Sequence, residues 1–148
     1  MKSKIKLFTI GFTKKTAQHF FETLINAGVE KLIDARLNNS SQLAGFAKRK
    51  DLEYFLKVIG KIDYVHCLEL APTKEILENY KKNGGNWQIY EKQFIQLMGN
   101  RQIEQQFYPE QFNKSCLLCS EATPEYCHRR LVAEYLQEEW INVDISHL

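Results

Sequence analysis

Lys4 and Lys6 alternate with Ile5 and Leu7, and the run Ile5–Ile10 reads as a strand ended by Gly11. From Ala17 the period changes. Phe20, Phe21, Leu24 and Ile25 recur at helical spacing behind Thr16 as N-cap, and Gly28 is a natural stop. A second strand spans Lys31–Ala35, followed by the turn-rich loop "RLNNSSQLAG". The spacing predicts a helix over Asp51–Ile59, with Leu52, Phe55, Leu56 and Ile59 on one face, then a third strand over Asp63–Leu68. Helical patterns follow over Lys74–Lys82 and over Trp87–Met98, the second carrying the stripe Trp87, Tyr90, Phe94, Ile95 and Met98. A short helical turn at Ile103–Phe107 is broken by Pro109. A fourth strand covers Ser115–Ser120, a last helix Pro124–Glu139, and a fifth strand Asn142–Ile145.

Strands separated by helices predict βαβ crossovers. The expected fold class is α/β, a single three-layer domain over residues 1–148 with a mainly parallel five-stranded sheet and helices on both faces. A Rossmann-like strand order, 3-2-1-4-5, is expected. Ligands of such sheets bind beyond the C-terminal strand ends. Thr13, Asp34, Arg36, Cys119, Glu121 and His147 therefore fall on one rim.

Composition narrows the classes little. The chain has 148 residues, 44% hydrophobic and 26% charged, a formal net charge of +2 and four cysteines. That charge is too small to argue by itself for nucleic acid or acidic lipid. No apolar run approaches the ~18 residues of a membrane span, so no membrane partner is expected. The lysines of the N-terminus lack the apolar stretch of a signal peptide. A cytoplasmic protein with free thiols is expected, without disulfide.

The densest chemistry is "CLLCSEATPEYCHRRL", Cys116 to Leu131. Cys116, Cys119, Cys127 and His128 number enough for zinc. Yet residues three apart on a strand point to opposite faces, and consecutive helical residues diverge by about 100°. No metal is expected on that ground, and no cofactor is expected. Cys67, Cys116 and Cys127 read as packing residues. Cys119 and Glu121 share a strand face where the chain turns into the last helix, for which Thr123 is the expected N-cap and Pro124 the first residue. Cys119 there is either a nucleophile of lowered pKa or a structural thiol. His128 and Arg129 stand within reach of it, whereas Arg130 has Glu134 four residues on. Asp34 and Arg36, two apart in "LIDAR", form either a structural ion pair or the frame of an anion site.

"TIGFT", "LIDAR", "YVHCLEL" and above all "LLCSEATPEYCHRRL" resemble the domain of unknown function 488 family, from about Thr9 to the C-terminal "DISHL". The resemblance implies a small parallel α/β protein but brings no assigned activity. It carries over onto Asp34, Arg36, Cys119, Glu121, Cys127, His128, Arg129 and His147. The chain departs from that pattern at Phe12, where the family has histidine, in the proline-free loop after Arg36, and at Leu70-Ala71-Pro72 in place of Leu-Gly-Gly.

Three functions compete. One is an enzyme or binding protein for a nucleotide, nucleic acid or other phosphorylated ligand. Its catalytic residues would be Cys119, Glu121, Asp34 and His128, and its ligand-binding residues Arg36, Arg129, Thr13 and His147. A small anionic ligand or a nucleic acid would be the partner. The second is rhodanese-like sulfur transfer or thiol redox through Cys119, since "LIDAR" is also similar to the Asp-x-Arg strand of rhodanese-like sulfurtransferases. The third is a non-catalytic binding module.

Overall fold

The computed structural model describes residues 4–38, 45–121 and 124–148. Its elements run β1 (Ile5–Gly11), α1 (Ala17–Ala27), β2 (Lys31–Asp34), α2 (Arg49–Phe55), β3 (Asp63–His66), α3 (Lys74–Lys82), α4 (Trp87–Arg101), α5 (Ile103–Gln106), β4 (Ser115–Cys119), α6 (His128–Glu139) and β5 (Val143–His147). A π-helical turn over Leu56–Gly60 extends α2. Local chemistry sets the helix ends as the sequence predicts for α1. The Thr16 hydroxyl accepts from the His19 N–H, and Gly28 closes the helix at φ 81°, a left-handed conformation suited to glycine.

All five strands are parallel, in the order β3-β2-β4-β1-β5. The α/β class stands, but the expected order 3-2-1-4-5 does not: β4, not β1, lies beside β2. Every residue of β4 is buried, in keeping with its place at the centre of the sheet with cover on both faces. β3, with its alternation of exposed and part-exposed residues, tolerates an edge.

Two cores sandwich the sheet. Phe8, Ile10, Leu32, Cys116 and Leu118 face α1 and α2 through Phe20, Leu24, Leu52 and Leu56. Leu7, Ile33 and Leu117 face α4, α5 and α6 through Phe94, Met98, Ile103 and Leu136. The chain thus leaves β2 toward one layer and β4 toward the other, although the two strands are neighbours. Such a reversal opens a crevice at the C-terminal rim. No helix among the described residues is long and apolar enough to cross a membrane.

The last helix starts at His128 rather than at the expected Pro124. Thr123 lies outside the described residues. Pro124 belongs to a turn in which the Cys127 N–H donates to its carbonyl at 3.3 Å, and Arg130 reaches the carbonyls of Pro124 and Glu125. Cys127 is consequently extended, at φ −137° and ψ 137°.

Candidate functional site

Asp34 ends β2 with its side chain fully buried. Arg36, two residues on, folds back to it through Nε–Oδ1 and Nη2–Oδ2 contacts of 2.8 Å each. The Tyr64 hydroxyl donates to the same carboxylate at 2.6 Å. Burial alone would raise the Asp34 pKa, but the Arg36 hydrogen bonds and charge, helped by Tyr64, hold it below the ordinary carboxylate range. Arg36 Nη2 also donates to the Ala47 carbonyl, and the Phe12 ring lies 5.4 Å from its guanidinium carbon. Nη1 is buried and has no hydrogen-bond partner among the described residues.

Arg129 is 1% exposed and has no carboxylate partner among the described residues. Its Nε donates to Thr9 Oγ1 at 3.2 Å and its Nη1 to the Glu121 carbonyl at 2.6 Å. Burial lowers its pKa to about 10, so it remains a cation at neutral pH. Gly11 makes room for this arrangement. A Cβ there would collide with the Glu121 carbonyl and stand 2.5 Å from Arg129 Nη1. Thr13 secures the same turn from outside, its backbone N–H and hydroxyl both donating to the Ser120 carbonyl.

The expectation of free thiols without a disulfide, and of Cys127 as a packing residue, is corrected here. Cys119 and Cys127 are joined as a disulfide, with Cα atoms 7.2 Å apart. Arg129 Nη1 lies 3.7 Å from one sulfur and 3.9 Å from the other. The expected divergence of Cys127 and His128 presumes that both are helical, and Cys127 is not. One ligand atom each from Cys119, Cys127 and His128 falls within 4.8 Å of the others, so these three residues could hold a metal. The geometric ground for expecting no metal is therefore removed. His128 donates from Nε2 to the Ala35 carbonyl at 2.7 Å. Burial lowers its pKa to about 4, which keeps the ring neutral. Cys67 and Cys116 are free and buried, as their reading as packing residues requires, and burial raises both thiol pKa values.

A cavity of about 320 Å³ opens in the crevice between the β2 and β4 ends. Arg36, Cys119, Glu121, Cys127 and His128 contribute to its wall, and Tyr80, Trp87, Tyr90 and Tyr126 supply most of its aromatic surface. Trp87 stacks on Tyr90 with centroids 4.7 Å apart and meets the edges of Tyr80 and Tyr126. A family model described as "Domain of unknown function DUF488" matches residues 16–136. The chain belongs to the DUF488 family. No curated protein and no solved structure is found to match it.

The DUF488 stretch from Cys119 to Arg129 thus places Cys119, Glu121, Cys127 and His128 on the cavity, with Arg129 behind them. Asp34 is one step back, paired with Arg36. Arg129, Thr13 and His147 do not line the cavity. His147 lies across β1, where its Nδ1 and Thr9 Oγ1 are 2.6 Å apart. Sequence reasoning missed Tyr64 on Asp34, His66, which donates to the Arg36 carbonyl at 2.7 Å, and the aromatic wall. The Trp87/Tyr90 stripe was legible as a helix face. Its meeting with Tyr80 and Tyr126, on two other segments, left no local signal.

Proposed function

We propose that this DUF488 protein binds, and acts on, a small ligand that combines a flat ring with an oxyanion, a nucleotide being the best fit. The observation that carries the reading is Arg36 Nη1, a buried donor without a partner among the described residues, on a guanidinium that also lines an aromatic-walled cavity. A buried unpaired donor is costly, and a ligand oxygen would relieve that cost. The Asp34 contacts use the opposite edge of the guanidinium, so the fork is already oriented. They also neutralise much of its charge, so Arg36 would act as a directed donor more than as an electrostatic attractor. Tyr80, Trp87, Tyr90 and Tyr126 offer faces and edges on which a nucleobase can stack, a contact worth roughly 1–3 kcal/mol per base. Glu121 stands on the same wall as a proton acceptor.

The test is quenching of Trp87 fluorescence by nucleoside phosphates and short single-stranded oligonucleotides, in a Trp140→Phe background. Losing the Arg36 contact, worth about 1.5–3 kcal/mol, should weaken binding of an active compound about ten- to a hundredfold in Arg36→Lys. Saturable binding indifferent to both Arg36→Lys and Tyr126→Leu would remove the reading, as would no binding at all.

A second reading, thiol redox chemistry, is favoured by one specific observation: two sulfurs together under a buried cation that has no carboxylate partner among the described residues. In it, Cys119 and Cys127 lose two protons and two electrons as their bond forms, and an incoming disulfide leaves as two thiols. Arg129 would stabilise the attacking thiolate. Persulfide formation on Cys119 with thiosulfate would point instead to sulfur transfer. Saturable ligand binding with neither turnover nor thiol reactivity would leave a plain binding module.

A further inference from the structure

We infer that, in the reduced protein, Cys119, Cys127 and His128 bind a zinc ion whose fourth coordination position opens into the rim cavity. Two thiolates and a neutral imidazole are a soft set that suits zinc, and three protein ligands with one open position is the pattern of a catalytic rather than a structural zinc site. With metal–sulfur bonds near 2.3 Å, two thiolates on a tetrahedral ion stand about 3.8 Å apart. The ligand atoms here already lie within 4.8 Å of one another, so small side-chain rotations bring them to a common ion. The Cα separation of 7.2 Å is slightly beyond the 4.4–6.8 Å usual for a bonded pair, and two cysteines sharing an ion have more latitude.

The surroundings are those a metal site needs. His128 donates from Nε2 to the Ala35 carbonyl, so in the neutral ring the lone pair sits on Nδ1. A backbone carbonyl on the second ring nitrogen is the usual device for orienting a ligating imidazole. Arg129 Nη1 is placed to donate to both sulfurs, which favours the thiolate form that a metal requires. Two thiolates balance the charge of the ion and leave the Arg129 cation facing a neutral centre. All three ligands line the cavity, beside Glu121, so a water or a ligand atom can complete the tetrahedron.

The experiment uses full-length protein, reduced and then freed of reductant without air. Zinc content is measured, cobalt is titrated into chelator-treated protein, and cysteine alkylation is mapped by mass spectrometry with and without zinc. The expected result is about one zinc per chain, an intense thiolate-to-cobalt charge-transfer band, and protection of Cys119 and Cys127 while Cys67 alkylation is unchanged. Cys119→Ser and Cys127→Ser should each lose the ion on gel filtration, and Cys67→Ser should keep it. Wild-type protection mapping decides the matter even where a variant fails to fold. Folded, reduced wild type whose Cys119 and Cys127 alkylate equally fast with and without zinc overturns the inference. So does cobalt binding without the thiolate band, or zinc retained by the variant lacking both thiols.

Discussion

Removing one member of the Asp34–Arg36 pair should damage the fold more than removing both. Asp34 is 0% exposed and Arg36 3%, so neither charge can turn to water. The carboxylate accepts hydrogen bonds from the Arg36 backbone N–H at 3.2 Å, from Arg36 Nε and Nη2 at 2.8 Å each, and from Tyr64 at 2.6 Å. Asp34→Ala leaves the guanidinium with the Ala47 carbonyl as its remaining hydrogen-bond acceptor among the described residues and removes the 2.6 Å contact of the Tyr64 hydroxyl. Breaking a buried ion pair from one side destabilises by about 3–5 kcal/mol, a large part of the roughly 5–15 kcal/mol that holds a domain together. Arg36→Met should cost a similar amount by taking the guanidinium away from a buried carboxylate. The double variant removes both charges and substitutes apolar volume, so it should be more stable than the sum of the single effects predicts, by about 2 kcal/mol or more. Urea unfolding of the four proteins followed by circular dichroism measures all the terms. Additive effects, or an Asp34→Ala penalty below about 1 kcal/mol, would show that the pair is solvated and that the frame assigned to Arg36 does not exist.

Gly11→Ala drives a methyl into a backbone carbonyl and a fixed guanidinium, neither of which can move aside. It should destabilise by about 3 kcal/mol, read as a fall of roughly 10 °C in the thermal midpoint. Glu134→Gln breaks the Arg130–Glu134 contact of 3.0 Å, but the Glu134 side chain is 45% exposed, so stability should change by less than about 0.5 kcal/mol. The depressed Asp34 pKa sets an acid limit. Its contribution is fully present above the unfolded value near 3.9 and is lost as pH falls through the lower folded value. Urea midpoints between about pH 5 and pH 2 should therefore fall more steeply for wild type than for Asp34→Asn; parallel curves would contradict the shift.

Much of the architecture is written in local pattern. The five strands, the cap at Thr16, the stop at Gly28 and the helix faces all follow from periodicity and capping chemistry, interactions between residues a few positions apart. The rim rule likewise brings Asp34, Arg36, Cys119 and Glu121 to one end of the sheet, because parallel strands share the direction of their C-terminal ends. The central place of β4 was decided by tertiary structure, since it depends on which apolar strand gains most from cover on both sides. Cys127 shows the same limit on a smaller scale. Thr-Pro suggests an early helix start, but hydrogen bonds from Arg130 hold a turn that leaves Cys127 extended. That single change of backbone conformation brings its sulfur to Cys119 and His128. The aromatic wall depends on Tyr80, Trp87 and Tyr126 meeting across three segments, and the open donor of Arg36 depends on which of its nitrogens Asp34 and Ala47 have already taken. Those are properties of packing between distant residues, and no window along the chain contains them.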